Sequence, residues 1–567
     1  MYNNNRTFSV NNKLFELNKK CKYMRRILIN ILLITLSYSA SSYAQDQSRL
    51  YDIGKNIEIY TNIYKELNKN FVDKIDPNIL MKKGIDAMTK SLDPYTRYFS
   101  ESEAESFRIS TQGKYSGIGS VMKNIDSVIT VVELYKDSPS YKAGLRIGDQ
   151  ILEVEGKSTK GKSSKEVASI VRGAPGTDIV FTVKSFNENK TKKITINRGE
   201  INIPNVPYFG LVNDSIGYIH LSTFTADAGR NVRNALKKLK DSVDLKGVIL
   251  DLRYNGGGLL REAINVVNVF VGKGEELVST RGKIEDKNRV YITQKNALDD
   301  DIPLVVLIND RSASASEIVS GSIQDLDRGV LIGQKSFGKG LVQNVFPIGY
   351  NSKVKITIAK YYIPSGRCIQ SKVYENGKAV YIKKDKRNAF KTKKGRKVYD
   401  VGGVEPDILV EKEKPSAFVN SLIKNNIIFK YVNEYSSQHK SIPPIEDFEY
   451  KDYSEFKEFC TKLNYSFETK TEKGIENLKK MIVDDNLKSI TNNDLDKLLD
   501  MVKLEKKSYL DSNMDEIKRL IEKEIVKRYY FNKGKIKDSL KNDIEIKKAI
   551  EVLSQSDKYN GILAKPE

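Results

Sequence analysis

Residues 309–321 read NDRSASASEIVSG, a loop of small residues that runs into an apolar-periodic segment. A serine at such a loop-to-helix corner is exposed and lies beside the first unpaired N–H groups of the helix. That arrangement suits a nucleophile with an oxyanion hole next to it. Residues 333–343 read GQKSFGKGLVQ. Their glycine and Gly-Lys spacing imitates a phosphate-binding loop, but position 340 is Gly where that loop needs a magnesium-binding Ser or Thr. A serine nucleophile also needs a base, and the chain has only two histidines. His220 lies in the strand-like GYIHLSTF and His439 in the polar SSQHKS, so a Ser-His-Asp triad is poorly supplied and a Ser-Lys pair is the alternative. A lysine is a base only when neutral, so its pKa of about 10.4 must fall toward ~7–8. This costs about 4 kcal/mol and requires desolvation or a nearby positive charge. Phe337 and Leu341 flank Lys339 and are expected to shield it. Gln343, four residues on, can hydrogen-bond the amine if the segment is helical or tightly turned.

A third stretch, DLRYNGGGLL (251–260), opens an apolar run into glycines, which let backbone N–H groups face a crevice at a strand's carboxyl end. Chemistry alone does not choose among Ser312, Ser314 and Ser316. Ser316 reads as a helix N-cap, Glu317 as an acid favoured in the first helical turn, and Asp251 with Arg253 as a structural ion pair.

These loops need a scaffold that brings them together. Residues 247–253, 302–308 and 329–333 are compact apolar runs bounded by turns, the pattern of buried strands in an α/β core. Between them, SEIVSGSIQDL (316–326) predicts a short helix with Val319, Ile323 and Leu326 on one face. Upstream, residues 113–199 change texture to short strands and Gly turns. They include a strand at 127–134 and a helix at 163–173 that Gly173 caps and Pro175 stops. Ser138-Pro139, Ala143-Gly144-Leu145, Gly148-Asp149, Ile151, Val154 and Gly156 make this segment similar to a PDZ domain. That resemblance implies capture of a peptide C-terminus by strand addition, with the loop Gly117, Ile118, Gly119 and Ser120 offering N–H groups to the terminal carboxylate. Residues 45–112 are helical by spacing, and Asp93-Pro94 ends that segment in a turn. Residues 415–567 are Lys/Glu/Asp-rich and helical, with Ser512 as a cap candidate and Ile517, Ile521 and Ile525 on a stripe. They read as a packing or oligomerisation appendage.

Taken together, SASASEI, the 25-residue step from Ser314 to Lys339 (339 − 314), FGKGLVQ, DLRYNGGG, PSGRCIQ (364–370), GGVEPD (402–407) and SLDPYTRYFS (91–100) resemble the carboxyl-terminal processing peptidases, or tail-specific proteases. The resemblance covers roughly residues 50–410. It implies a multi-domain α/β protein: a crotonase-like layered protease core at 200–414 and an inserted, β-rich PDZ domain at 113–199. A helical lead at 45–112 and a helical C-terminal extension at 415–567 flank them. It also implies Ser314 as nucleophile, Lys339 as general base and Gln343 as the residue that positions the lysine. Ala315 N–H and a glycine, Gly258 ahead of Gly257, would form the oxyanion hole. Gly256 departs from the pattern, since many relatives carry Pro there. No metal, nucleotide or other cofactor is implied. The implied partners are proteins with accessible, apolar C-termini, and a catalytically inactive PDZ scaffold on the same core is the alternative.

The bulk properties fit a folded multi-domain chain of 567 residues with 39% hydrophobic residues and 14 prolines. A net charge of +22 invites a nucleic-acid reading. Yet 73 acidic residues are interspersed with 95 basic ones, and no Arg-rich arm or zinc-finger spacing is present, so no nucleic-acid partner is expected. Arg25 and Arg26 precede the apolar run ILINILLITL, and SASSYA ends at Ala44. This is the pattern of a secretory signal within a 1–44 extension, with Met24 an alternative start, and it places the protein in the periplasm. Left uncleaved, the segment would tether the chain to the inner membrane. After it only Cys368 and Cys460 remain, with no disulfide framework.

Overall fold

The computed structural model describes residues 47–186, 190–411, 414–485 and 492–564. The segment read as an export signal lies outside these residues. Among the described residues no helix is long and apolar enough to cross a membrane. The chain divides into two units, up to Thr89 and from Lys90 onward. The first carries helices at 47–70 and Pro77–Lys90, tied where the Tyr64 hydroxyl donates to the Pro77 carbonyl at 2.9 Å.

In the second unit, the strands expected from the apolar runs form one six-stranded sheet. Its order is Tyr208–Leu211, Ile216–His220, Gly247–Asp251, Leu304–Ile308, Val330–Gly333 and Ile408–Leu409. The first pair is antiparallel and the rest are parallel. Parallel strands are buried on both faces, which is why these runs show no polar alternation. Side chains nevertheless sort by the two-residue period. Val248, Leu250, Leu304, Val306 and Ile308 join a core with the helices Ala228–Ser242, Leu260–Phe270 and Ala315–Asp325. Ile249, Val305 and Leu307 point the other way, into a cluster with Ile546, Ala549, Val552, Leu553, Tyr559 and Leu563. The helices Ile544–Leu553 and Ser556–Leu563 therefore cover the second face of this sheet.

A second sheet joins Arg97–Phe99, Lys353–Tyr362, Glu276–Gly282 and Arg289–Ile292, with Leu341–Pro347 also paired to Lys353–Tyr362. Ala315–Asp325 is buried on every side, where the sequence reading expected one apolar face. Small residues such as Ser320, Gly321 and Ser322 let both sides be covered, and the Ser322 hydroxyl is satisfied by the Leu277 carbonyl at 3.1 Å.

The PDZ-like segment forms a sheet in the order Ser120–Ile125, Val128–Leu134, Gln150–Val154, Asp178–Lys184 and Thr191–Asn197. Its helix Ser164–Val171 is opened by Ser163, whose hydroxyl accepts from Glu166 N–H. The helix stops at an extended Arg172 rather than at Gly173, whose Cα faces the Arg198 side chain. The C-terminal helical region holds this sheet. Buried Lys527 donates from Nζ to the Val132 carbonyl at 2.9 Å, and Arg528 fixes the Asn433 side chain that lies against Gly148. Ile517, Ile521 and Ile525 form the expected buried stripe on Met514–Ser539. Asn513 precedes that helix, and Ser512 instead ends the short helix before it. Cys368 and Cys460 are free thiols.

Candidate active site

Adjacent parallel strands end together: Asp251 pairs with Leu307, and Ile308 with Gly333. The three loops that follow leave the same edge of the sheet side by side, the crevice where open α/β sheets bind ligands. The Gly-rich, serine-rich and Gly-Lys stretches are thus neighbours in space, although 25 residues separate Ser314 from Lys339 (339 − 314).

The serine loop is closed against the glycine loop by hydroxyls. Ser312 donates to the Leu252 carbonyl at 2.8 Å and accepts from Asn309 N–H at 2.9 Å, while Ser316 donates to the Asn255 carbonyl at 2.8 Å. Both are fully buried. Ser316 is thus not the helix N-cap expected from its position; it sits inside the first turn and ties the helix to the neighbouring loop. The residue that precedes the helix is Ser314, half-buried, with φ 58° and ψ −112° and no side-chain cap bond. A non-glycine residue in such a backbone conformation carries about 1–3 kcal/mol of strain, held in place by its surroundings. Those surroundings are visible: Ala313 N–H donates to the Asn255 carbonyl, and Ser314 N–H to Glu317 Oε2 at 2.7 Å.

Glu317 is the hub. Its Oε2 also accepts from Lys339 N–H at 2.9 Å, and its Oε1 accepts from Gly338 N–H and the Ser336 hydroxyl, each at 2.6 Å. One buried carboxylate therefore pins both the serine corner and the lysine turn. Burial pushes its pKa above the usual carboxylate range, and the four donors oppose that by favouring the anion. From the other side, the buried Tyr361 hydroxyl bonds the carbonyls of Lys339 at 2.7 Å and Ser314 at 3.3 Å. The first-turn position of Glu317 follows from sequence, but its reach to the lysine turn does not.

The Lys339 side chain is half-buried, and its pKa is lowered to about 8. Burial is the largest cause, the nearby positive charge of Lys355 adds to it, and Glu317 and Asp93 act against it. The shielding ring is not Phe337, which is exposed and carries the Lys372 ammonium over its face. Lys339 Nζ instead lies 4.4 Å from the centroid of Tyr95. Gln343 is on the Leu341–Pro347 strand, just after a register shift, and its amide donates to Thr357 Oγ1 at 3.3 Å. The segment is thus extended rather than helical, and the bulge sets where Gln343 points.

The glycine loop meets this corner at Gly257. A Cβ there would stand 2.7 Å from the Ala313 carbonyl oxygen, 2.9 Å from Ser314 Cβ and 3.0 Å from Ala315 N, and its φ is +99°. Gly257 N–H is committed to Asn255 Oδ1 at 2.9 Å. Gly258, with φ +153°, turns its Cα against the Phe224 carbonyl, and the bridge to Phe224 runs through the Gly257 carbonyl and Leu259 N–H. Gly258 N–H lies outside those bonds. Gly256 faces open space. Behind the loop, Arg253 binds Asp251 at 2.6 Å and Asp543 at 2.8 Å and also pairs with Glu545, so the expected ion pair extends to the C-terminal helices. His220 belongs to this buried group, 4.0 Å from Asp251, and burial holds its imidazole below its ordinary range.

Beside the PDZ-like sheet, Gly117 ends the strand Lys114–Gly117, which pairs separately with Gly199–Asn202, and the Tyr115 ring crosses the space a side chain there would need. Ile118 is buried, and Gly119, with φ +76°, lies against Ser138. Ser120 opens the next strand, and the hydroxyls of Ser116 and Ser120 are buried without a hydrogen-bond partner.

Comparison with known proteins adds three segments. Residues 215–385 match "Peptidase family S41", residues 130–185 a PDZ domain, and residues 418–553 "Probable PDZ-protease, C-terminal helical domain". A "Carboxy-terminal-processing protease" of Bartonella bacilliformis is 36% identical over 352 residues, covering 61% of this chain and 80% of that protein. A "Probable CtpA-like serine protease" of Staphylococcus aureus is 36% identical over 354 residues, covering 61% of this chain and 70% of the relative. Among solved structures, a photosystem II D1 C-terminal processing protease aligns over 62% of this chain and 92% of its own, at 25% identity and a TM-score of 0.34.

Proposed function

The chain belongs to the carboxy-terminal-processing proteases, serine-type peptidases with a PDZ domain, and on that premise we propose that Ser314 is its nucleophile and Lys339 its general base. In this reading Ser314 Oγ attacks the scissile carbonyl and passes its proton to neutral Lys339 Nζ. The N–H groups of Ala315 and Gly258 stabilise the oxyanion. Collapse of the tetrahedral intermediate breaks the C–N bond, Lys339 returns the proton to the leaving amine, and water then hydrolyses the acyl-enzyme. Gln343 steadies the lysine side chain from the neighbouring strand.

The observation that carries the proposal is that Ser314 and Lys339 hang by their backbone amides from one oxygen of Glu317. Two further observations support it. The Ser312 and Ser316 hydroxyls are already bound to carbonyls, and Lys339 has a pKa near 8. At pH 7 about one lysine in ten is then neutral, against well under one in a thousand for an unperturbed side chain.

The PDZ domain is the proposed recruiting element. The loop Gly117, Ile118, Gly119 and Ser120 would take the substrate's terminal carboxylate, and the unpartnered Ser116 and Ser120 hydroxyls are suited to add donors. Arg25, Arg26 and the apolar run after them support export to the periplasm.

The test is cleavage of an unfolded protein with an apolar tail by the mature chain, Ser314→Ala and Lys339→Ala. Loss of turnover in both variants is expected, and equal turnover in all three would remove the dyad. Amidating the substrate's tail should depress turnover if the PDZ loop reads the carboxylate.

A further inference from the structure

Tyr95 lies in the turn between the helix Pro77–Lys90 and the strand Arg97–Phe99, more than two hundred residues from the lysine in sequence. Its place is over-determined. Asp93 Oδ1 accepts from the N–H groups of Tyr95 and Thr96, each at 2.7 Å, which closes the turn. Thr96, itself buried, accepts from Thr357 N–H at 3.3 Å, and the strand Arg97–Phe99 then pairs with Lys353–Lys355. The ring is fixed in orientation by Tyr374, which meets it edge-on with centroids 5.9 Å apart and donates its hydroxyl to the Tyr95 oxygen at 3.3 Å. The face left over is presented to Lys339 Nζ at 4.4 Å.

We propose that Tyr95 is a positioning residue for the general base: its ring face holds the Lys339 amine in place and sets the balance between its charged and neutral forms. The inference rests on the Ser-Lys reading above. The physical logic has two opposing parts. The ring excludes water from one side of the amine, which disfavours the ammonium. Its negative face attracts the ammonium, which restrains that effect and gives the flexible side chain a preferred seat. The other charged groups facing the amine are Lys355 from the Lys353–Tyr362 strand, Glu317 from the helix and Asp93 from the turn, and none of them alters when the ring's electrons alone are changed. Burial and the Tyr374 contact keep the Tyr95 phenol protonated well above its ordinary range, so it does not titrate with the lysine.

The test varies the ring's electrons at nearly constant shape. Tyr95→Phe sets the reference. Tyr95→4-fluorophenylalanine, →3,4,5-trifluorophenylalanine and →pentafluorophenylalanine weaken the negative face in steps. The readout is the basic-side rise of kcat/KM with pH, with melting temperature as a check that each variant folds. The expected result is a stepwise shift of that rise to lower pH, reaching about half a unit or more for the pentafluoro ring, with plateau kcat falling severalfold and KM unchanged. A merely structural ring would not produce a graded shift. Superimposable profiles, with Lys339→Ala inactive, would overturn the role of Tyr95 and leave the dyad standing. Cleavage by Lys339→Ala would instead overturn the dyad.

Discussion

Gly257 lies so close to Ser314 that a Cβ on the glycine would stand 2.9 Å from the serine's own Cβ. The glycine loop and the serine corner therefore fit only while position 257 has no side chain. The neighbouring Gly256 faces open space, so the two glycines should behave differently when substituted.

Gly257→Ala is expected to lower kcat by about 100-fold or more. The φ of +99° alone strains an alanine by about 1–3 kcal/mol, and the Cβ displaces the corner that carries Ser314 and Ala315. Gly256→Ala should stay within about threefold of the parent. Steady-state cleavage of one tail substrate by both variants checks the contrast, and equal losses would refute it.

Glu317→Gln keeps the size of the side chain but turns one acceptor oxygen into an NH2 group facing donors. Two of the four groups on the carboxylate, drawn from Ser314, Ser336, Gly338 and Lys339, would then face a donor. Each buried donor left unpaired costs about 1–3 kcal/mol. A lower melting temperature and loss of nearly all activity are expected together. A variant with full activity would show that the shared carboxylate does not position the pair.

Activity should rise with pH through about 8, because in the proposed dyad Lys339 acts when neutral and its pKa is lowered to about 8. Removing the positive neighbour with Lys355→Met makes the ammonium easier to hold, so the lysine's pKa rises and the profile moves toward higher pH. A shift of about half a unit would cut activity at pH 7 roughly threefold. A profile flat from about pH 5 to 9 would contradict a lysine base.

Arg253→Met leaves Asp251 buried beside His220 without its main counter-charge and frees Asp543 and Glu545. Breaking such a buried pair typically costs about 3–5 kcal/mol. Thermal unfolding should register the loss. Since Arg253 joins the glycine loop to the C-terminal helices, activity should fall before the protein unfolds globally.

Much of this arrangement is legible from the amino-acid sequence because buried parallel strands appear as short apolar runs, and functional loops as small residues after them. Residues 247–251, 304–308 and 330–333, with the loops behind them, are of this kind. What periodicity does not carry is the identity of the partner. Ser316 looks like a cap because its hydroxyl is near a helix start, yet the Asn255 carbonyl takes it. Phe337 looks like the lysine's shield because it is adjacent in sequence, yet Tyr95 supplies the ring. Gln343 looks as if it needs a turn to reach the amine, yet it lies on a bulged strand with its amide on Thr357. In each case a contact between residues distant in the chain displaces a local one.

The same holds for the C-terminal region, whose amphipathic helices announce an apolar face without saying what it covers. Ile546, Val552 and Leu563 complete the catalytic sheet from behind, and Tyr559 caps it by accepting Leu304 N–H at 2.9 Å. Synthesis runs from the amino end, so strands 247–251 and 304–308 are made well before residues 544–563. Until those residues emerge, one whole face of the sheet is bare. The serine loop and the lysine turn are thus without a finished platform for as long as synthesis has not passed Leu563.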